Sequence, residues 1–389
     1  MANPLTQLLA SLSPQTPVLS DDYDGLEYRW KMFAFRPALF KNEIFFLGAV
    51  LTYVLFHFIG KRVNAERAHK WYKAHEKLYV SQFSKPVQPH GLTKDGNSDS
   101  FVFSTGRRAV NYLHTTFSLR PRHDPFQYIF QFLYGLIELD FKVVDQIELD
   151  FVLKDTANIP DCVWAVVAKN ELKKIKDKRW DLTFTRTADK SGLPASLTVM
   201  SEFADITDNL LKPHGSLSLS TVLSDPAVLP YFRSLSLTDQ PRTRPLVPVP
   251  ASQRSKHLIL SLALPPSSAT TATIPLIQAV FNLVDVISAE GGWGIGKGPS
   301  TGKGGVGLNP SLRPETRTKL KKVREELDKE LKEEAVKEKK EEQAEEKAAA
   351  KKKAEEERLS RLSAADQKKE LEREKKRAMR KTQGKLKTR

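Results

Sequence analysis

The longest apolar stretch of the chain runs from Ile44 to Gly60, IFFLGAVLTYVLFHFIG, and carries no formal charge. A helix of this length extends about 25 Å, which is slightly short of a hydrocarbon core of about 30 Å and closer to the roughly 27 Å of an endoplasmic reticulum bilayer. A buried core helix is the alternative. The run is apolar all round and lies between Lys41 and the pair Lys61 and Arg62, so we predict a single transmembrane helix at residues 44–60.

Aromatic and cationic residues lie on both sides of this span. Such residues are typical of a membrane–water interface, although the segment before the span could also be a surface helix packed on a domain. We therefore expect residues 1–43 to form a luminal or interfacial segment and residues 61–99 a juxtamembrane helix with a linker. The residues predicted to contact the interface are Trp30, Phe33, Phe35, Lys61, Arg62, Trp71 and Tyr72.

The charges beside the span predict its orientation. Residues 61–80 hold six Lys or Arg, whereas residues 21–43 hold four, together with five Asp or Glu. Because cations are enriched on the cytosolic side, the bias favours a luminal N-terminus and a cytosolic C-terminus. The start of the chain, MANPLTQLLASLSPQ, has neither a basic region nor a long apolar run, and so it does not resemble a cleaved signal peptide.

Residues 100–290 alternate between strand-like and helix-like patterns. Strands are predicted over 145–155, where every second residue is apolar, and over 162–168, 195–202 and 256–265. Helices are predicted at 169–182, with a polar surface, and at 201–212. Strands and helices mixed in this order predict an α+β or α/β layered domain, and we expect the α+β class.

Two further segments of this domain are apolar on most faces. Residues 124–139, DPFQYIFQFLYGLIEL, predict a buried helix with Asp124 as N-cap and Pro125 at its first position. Residues 273–288 predict a second buried helix. Both are expected in the core of the domain.

Residues 313–389 consist mainly of Lys, Glu, Arg and Ala, which are strong helix formers. A short apolar seam comprises Leu320, Val323, Leu327 and Leu331, but it is not sustained over several heptads. A solitary charged helix and a coiled coil both remain open, with the solitary helix favoured.

The net charge of the chain is +15, and residues 367–389 hold 11 cations against 3 acids. A basic tail favours an anionic partner, either nucleic acid or anionic lipid, and a merely solvated tail is the alternative. The cations proposed to contact ribosomal RNA are Lys368, Lys369, Arg373, Lys375, Lys376, Arg377, Arg380, Lys381, Lys385 and Lys387.

A glycine-rich stretch at residues 291–307 contains two partial matches to phosphate-binding patterns. Gly302, Gly304 and Gly307 fit G-x-G-x-x-G, but no strand precedes them and prolines follow. The P-loop pattern fails because Gly298 stands where a Ser or Thr should bind magnesium. We therefore predict that residues 291–312 form a flexible linker rather than a nucleotide site.

The remaining candidate chemistry is sparse. Cys162 is the only cysteine and lies in a strand pattern, which is typical of a small buried hydrophobe and compatible with a reducing compartment. The histidines show no zinc-binding spacing. Three acidic pairs are expected on solvated faces, and we predict neither a metal, nor a cofactor, nor an enzymatic activity; these pairs are Glu138 with Asp140, Glu148 with Asp150, and Asp205 with Asp208.

Several motifs in a fixed order resemble one known family, that of coiled-coil domain-containing protein 47, also called calumin. The resemblance covers residues 40–290 and extends to the tail by composition. Its most specific segment is GLPASLTVMSEFADITDNLL at residues 192–211. The other segments are GKRVNAERAHKWYKAHEKL at 60–78, FSTGRRAVNYL at 103–113, RHDPFQYIF at 122–130, KHLILSLALP at 256–265 and PLIQAVFNLVDVIS at 275–288.

This resemblance implies a single-pass protein of the endoplasmic reticulum membrane with a cytosolic α+β domain. It also implies an intramembrane chaperone complex with the small membrane protein Asterix, acting on nascent multipass proteins at the ribosome and the Sec61 translocon within the lipid bilayer. A calcium-handling protein of the same membrane is the alternative. Animal members have a long acidic luminal region, and because Asp21, Asp22 and Asp24 are a poor substitute, calcium binding is not carried over.

Overall fold

The computed structural model describes residues 25–31, 33–37, 41–87, 91–138, 141, 143–155, 157–214, 218–250, 253–288 and 307–360. Its helices are α1 (Lys41–Gln82), α2 (Pro125–Ile137), α3 (Leu172–Lys178), α4 (Ala204–Leu211), α5 (Leu219–Leu223), α6 (Ile274–Ser288), α7 (Leu308–Ser311) and α8 (Pro314–Ser360). Its strands are β1 (Tyr28–Trp30), β2 (Phe33–Phe35), β3 (Thr93–Asp95), β4 (Asp99–Thr105), β5 (Val110–Ser118), β6 (Gln146–Leu153), β7 (Trp164–Ala168), β8 (Arg186–Ala188), β9 (Leu197–Ser201), β10 (Phe232–Thr238) and β11 (Lys256–Ala263).

Strands β3 to β11 form one nine-stranded sheet in the order β3-β4-β5-β6-β11-β10-β7-β9-β8. Every neighbouring pair is antiparallel. Helices lie between the strands in sequence, so the mixed helix-and-sheet class predicted from the sequence is confirmed. Strands β1 and β2 form a separate antiparallel pair.

One face of the sheet packs on the second half of α1 and on α6. Alternate residues of β6, namely Ile147, Leu149 and Phe151, point into this core because successive strand residues face opposite sides. Phe281 of α6 packs edge-on against Phe151, with ring centroids 5.3 Å apart. Trp71 of α1 packs edge-on against Phe117 of β5 at 5.4 Å.

A smaller cluster covers the other face of the sheet at β7 and β9. Val163, Ala165 and Val167 are buried there with Leu182 and Met200, and α3 packs against them through Leu172 and Ile175. Since Trp164 and Val166 belong to the main core on the opposite face, β7 is buried on both sides. This double burial explains the uninterrupted apolar run predicted as a strand.

The main core extends beyond the predicted domain boundary at residue 290. Leu308, Leu312 and Leu320 are buried within it, although residues 289–306, which include nearly all of the predicted linker's glycines, lie outside the described part of the chain. The described residues within Met1–Arg244 and Gln253–Leu320 form one compact unit, and those within Pro245–Ser252 and Lys321–Arg389 form a second. In the second unit, Leu327 and Leu331 of α8 are buried.

A closed chain of hydrogen bonds satisfies the buried polar groups between α1 and the turn before α6. Trp71 Nε1 donates to Thr273 Oγ1 at 3.1 Å, and Thr273 Oγ1 lies 3.1 Å from His75 Nε2. His75 Nδ1 lies 2.8 Å from the Trp71 carbonyl oxygen one helical turn earlier. A neutral His75 protonated at Nδ1 fits all three contacts, because its Nε2 then accepts from the threonine. Burial lowers the pKa of His75 to about 4, which is consistent with that neutral form.

Candidate membrane-associated site

Helix α1 changes its environment at Gly60. In its first half the large apolar side chains are exposed, as shown by Phe45 at 69%, Leu51 at 60% and Phe58 at 64%. In its second half Ala68 and Tyr79 are fully buried in the domain core. One continuous helix therefore has an apolar half that no other described part of the domain covers and a second half that packs in the domain core.

Two described helices are long and apolar enough to cross a membrane, α1 and the Thr270–Ser288 segment that contains α6. In the apolar window of α1 only 6% of residues are buried, against 50% in the window of α6. Leu276, Phe281 and Val284 of α6 are fully buried in the main core, which is the behaviour of a core helix. The prediction of a buried helix at 273–288 is confirmed, and α1 is the candidate for membrane contact.

The apolar half of α1 meets the sheet domain at a backbone-to-backbone contact. Gly60 packs so closely on Arg122 that a Cβ atom at Gly60 would lie 2.1 Å from the Arg122 carbonyl oxygen. Only glycine permits this approach. One turn before Gly60, the His57 ring packs edge-on against the His123 ring, with centroids 5.6 Å apart. The segment after β5 therefore lies alongside the end of the apolar half of α1.

Asp145 is the centre of a buried ionic cluster at the same level. Its carboxylate accepts two hydrogen bonds from Arg122, at 2.9 and 2.7 Å, and lies 3.1 Å from the Arg67 guanidinium of α1. The backbone N–H of Arg120 donates a further bond at 2.9 Å. Arg122 also donates to the Asn64 side-chain oxygen at 3.0 Å. The cluster thus fixes α1 to the end of β5 and the start of β6.

The charge of Asp145 is stabilised by these neighbours. Burial alone would raise the pKa of this carboxyl group, but the hydrogen bonds from Arg122 and from the Arg120 backbone, with the charges of Arg122 and Arg67, outweigh burial and lower the pKa. The carboxylate is therefore ionised at neutral pH, and it offsets one of the two arginine charges where α1 leaves the domain.

Most residues of helix α2 are exposed, which corrects the prediction of a buried helix at 124–139. None of its residues is buried, and Phe126, Phe130 and Ile137 are exposed by 74%, 65% and 81%. The predicted start is confirmed, since the Asp124 carboxylate accepts hydrogen bonds from the backbone N–H groups of Phe126 and Gln127. An apolar sequence indicates an apolar surrounding, but it does not distinguish a protein core from lipid.

The structure separates the predicted interface residues into two groups. Lys61 and Arg62 are exposed at the end of the apolar half of α1, and Trp30 is 78% exposed in the β1–β2 pair. Phe33 and Phe35 lie in β2. Trp71 and Tyr72, by contrast, are buried in the domain core, and the prediction that they contact lipid is corrected. Their position after a cationic segment resembled an aromatic belt, but their spacing also suits a core helix.

The predicted RNA-contacting cations, Lys368 to Lys387, lie outside the described residues, as does Asp140.

Cys162 is buried, as predicted. Glu148 pairs with Arg242 at 2.6 Å and Asp150 with His257 at 2.8 Å, so these acids have basic partners on the sheet. Among the described residues no group of three or more His, Cys, Asp or Glu could hold a metal ion.

Together these features define a mixed helix-and-sheet protein that carries an exposed apolar helix suited to a membrane. The chain belongs to the PAT complex subunit CCDC47 family, whose model matches residues 39–381. The match includes both halves of α1, the whole sheet and most of the basic tail.

Individual relatives agree with this membership. A UPF0674 endoplasmic reticulum membrane protein of Schizosaccharomyces pombe is 26% identical over 95% of this chain and 96% of the relative. The PAT complex subunits CCDC47 of Xenopus laevis and Homo sapiens are each 24% identical over 43% of this chain, and the matched region spans only 36% of each of those proteins. By name, these relatives are an endoplasmic reticulum membrane protein and subunits of a PAT complex.

Proposed function

We propose that the chain is a non-enzymatic accessory subunit that assists the biogenesis of multipass membrane proteins at the ribosome–Sec61 translocon. The observation that carries this proposal is the division of α1 at Gly60 into an exposed apolar half and a half packed in the core. A helix divided in this way would hold a folded domain directly at a bilayer surface. The relative from Schizosaccharomyces pombe, an endoplasmic reticulum membrane protein by name, supports that location.

In this proposal the chain crosses the membrane once, at residues 44–60, with the N-terminus in the lumen and the sheet domain in the cytosol. Lys61 and Arg62 are exposed directly after the apolar half of α1, where cations favour the cytosolic side. The ionic cluster around Asp145 would lie next to the same membrane face. It would hold the domain at a fixed angle to α1 and so close to the translocon.

The proposed partners are an Asterix-like small membrane protein, Sec61 with its associated factors, and nascent multipass proteins. The apolar half of α1 exposes large side chains on all sides, for example Phe45, Phe46 and Phe58. In a bilayer one side could pack on a partner helix and the other face lipid or an unassembled client segment. No covalent chemistry is needed for such sheltering.

The basic tail is proposed to bind ribosomal RNA. Residues 314–360, the span of α8, contain 15 cations and 15 acids, whereas residues 361–389 contain 12 cations and 4 acids. A helix of this length extends about 70 Å. The charge distribution therefore suits a neutral arm with a cationic tip, and clustered cations bind RNA by neutralising phosphates.

Charge reversal tests the tail. Changing Lys375, Lys376, Arg377, Arg380 and Lys381 to Glu should weaken ribosome co-sedimentation from detergent extracts, and it should reduce the slope of log affinity against log salt by about 4. The matched control changes the same number of exposed lysines within α8 to Glu, namely Lys332, Lys337, Lys339, Lys340 and Lys347. Equal sedimentation of both variants and the unaltered protein at low salt would exclude the tail as the ribosome contact.

Affinity purification in mild detergent tests the assembly itself. Recovery of Sec61, ribosomal proteins and a small membrane protein is the expected result. Deleting residues 361–389 should remove ribosomes from the preparation while the membrane partners stay, because those partners are proposed to contact the apolar half of α1. Recovery of none of them would reject the proposed function.

A further inference from the structure

Helix α2 occupies an unusual place in the sheet topology. Strands β5 and β6 are direct antiparallel neighbours, and such strands are normally joined by 2–5 residues. Here residues 119–145 separate them. Arg122 and Asp145, near the two ends of this connection, are held together by paired hydrogen bonds, so the connection leaves the sheet and returns to it at one point. Long connections of this kind usually carry a function.

The chemistry of α2 indicates an apolar surrounding on most of its sides. Its sequence, PFQYIFQFLYGLI, has no charged residue and only Gln127 and Gln131 as strongly polar positions. Nine of its large hydrophobic side chains are exposed, each by at least 40%. Water around such a helix would be unfavourable, and a helix that is apolar all round belongs in a core or in a membrane.

The contacts of α2 with α1 indicate its depth. The Phe126 ring stacks on Tyr53, with centroids 5.9 Å apart. Tyr53 lies seven residues before Gly60, which corresponds to about 10 Å along the helix. One leaflet contributes about 15 Å of hydrocarbon, half of a core of about 30 Å. The first turn of α2 therefore lies level with the acyl chains of the leaflet that α1 enters from the domain.

From these observations we infer that α2 is a second membrane-embedded element, a re-entrant helix lying within the cytosolic leaflet beside α1, with lipid acyl chains as its occupant. Its 13 residues extend about 20 Å, too short to cross a bilayer. The inference rests on the proposed membrane span of α1, because the apolar surface of α2 is continuous with it. Tyr134 in the second half of α2 suits the boundary between acyl chains and headgroups.

Single-cysteine variants test the inference in the full chain. In a Cys162→Ala background, Phe130→Cys probes the middle of α2 and Leu136→Cys its last turn. Leu51→Cys marks the apolar half of α1, and Val80→Cys, which is 58% exposed on the domain half of the same helix, marks an aqueous surface. In microsomes, a membrane-impermeant polyethylene glycol maleimide should label the α2 variants about tenfold more slowly than Val80→Cys, because thiolates do not form in hydrocarbon. All variants should be labelled in SDS.

Purified variants in vesicles of phosphatidylcholine and phosphatidylethanolamine supply the second measurement. A bimane on the Phe130→Cys variant should be quenched by lipids with a nitroxide high on the acyl chain and protected from aqueous iodide. Labelling as fast as that of Val80→Cys would overturn the inference. Protection in microsomes that is lost in pure lipid vesicles would also overturn it, in favour of a protein partner. Fast labelling of Leu51→Cys would instead reject the span of α1, so failure of the proposed topology is distinguished from failure of the inference about α2.

Discussion

Gly60 and Arg122 meet through their backbones where the apolar half of α1 leaves the sheet domain. A Cβ atom added to residue 60 would lie only 2.1 Å from the carbonyl oxygen of Arg122. Backbone atoms cannot move aside as a flexible side chain can, so the contact couples α1 to the start of the β5–β6 connection. This pair of residues gives the most direct test of the junction.

Replacing Gly60→Ala should destabilise the protein by about 1–3 kcal/mol, as overpacking does in other well-packed sites. The matched control is Gly48→Ala on the same helix, where an added Cβ would meet nothing within 4 Å. It should leave stability unchanged or slightly raised, because alanine favours helix. Thermal unfolding in detergent measures both, and equal midpoints for the two variants would contradict the close contact.

The Asp145→Ala variant should lower the free energy of unfolding by about 3 kcal/mol, because the partly buried Arg67 and Arg122 would lose the one negative charge between them. For comparison, Asp208→Ala breaks an exposed pair with Lys190, and such pairs contribute less than about 1 kcal/mol. Denaturant titration of both variants in detergent checks this. A loss at Asp145 no larger than that at Asp208 would show that the cluster does not hold α1.

Acid should destabilise the fold through His75. Burial lowers its pKa from 6.5 to about 4, so the unfolded chain binds a proton more readily than the folded one. The stability from neutral His75 is complete above pH 6.5 and is lost as pH falls from 6.5 to about 4, by about 3 kcal/mol in total. The lowered pKa of Asp145 acts in the same direction but below its ordinary value of 3.8. The thermal unfolding midpoint should fall steeply as the pH is lowered from 7 to 4, and the midpoint of the His75→Gln variant should fall less.

The core assignment of Trp71 is tested against an exposed tryptophan. Trp71→Ala should destabilise the protein by about 3–5 kcal/mol, since a fully buried indole and its hydrogen bond to Thr273 are lost. Trp30→Ala, at a side chain exposed by 78%, should change stability by less than about 0.5 kcal/mol in detergent. Thermal scans followed by circular dichroism distinguish the two, and a neutral Trp71→Ala would place that residue outside the core.

Four of the nine strands of the sheet could be predicted from alternation and apolar runs, whereas β3, β4, β5, β8 and β10 were not predicted. Strands β6, β7, β9 and β11 and helices α4 and α6 lie within their predicted segments. Strand β10 was not predicted, although all seven of its residues are buried, because its serines lower the apolar signal between leucines. The long-range order of nine strands is set by pairings that no local pattern encodes.

The errors at the candidate site have a common physical cause. Apolar composition made α2 resemble a core helix, and aromatic residues after a cationic segment made Trp71 and Tyr72 resemble a membrane belt. Both patterns indicate that a side chain avoids water, but neither indicates whether protein or lipid surrounds it instead. Gly60 gave no signal by itself, since only the fold shows that the backbone of Arg122 lies against it.

The continuity of α1 also has a mechanical consequence. From Gly60 to Gln82 the helix extends about 33 Å into the domain, and Gln82 at its far end accepts a hydrogen bond from Arg107 in the turn between β4 and β5. Tilting the apolar end by 10° would therefore sweep the far end through roughly 6 Å if the helix pivots at Gly60 as a rigid rod. If the apolar half of α1 spans a bilayer as proposed, local changes in bilayer thickness, to which apolar helices respond by tilting, would be converted into displacements of the whole sheet.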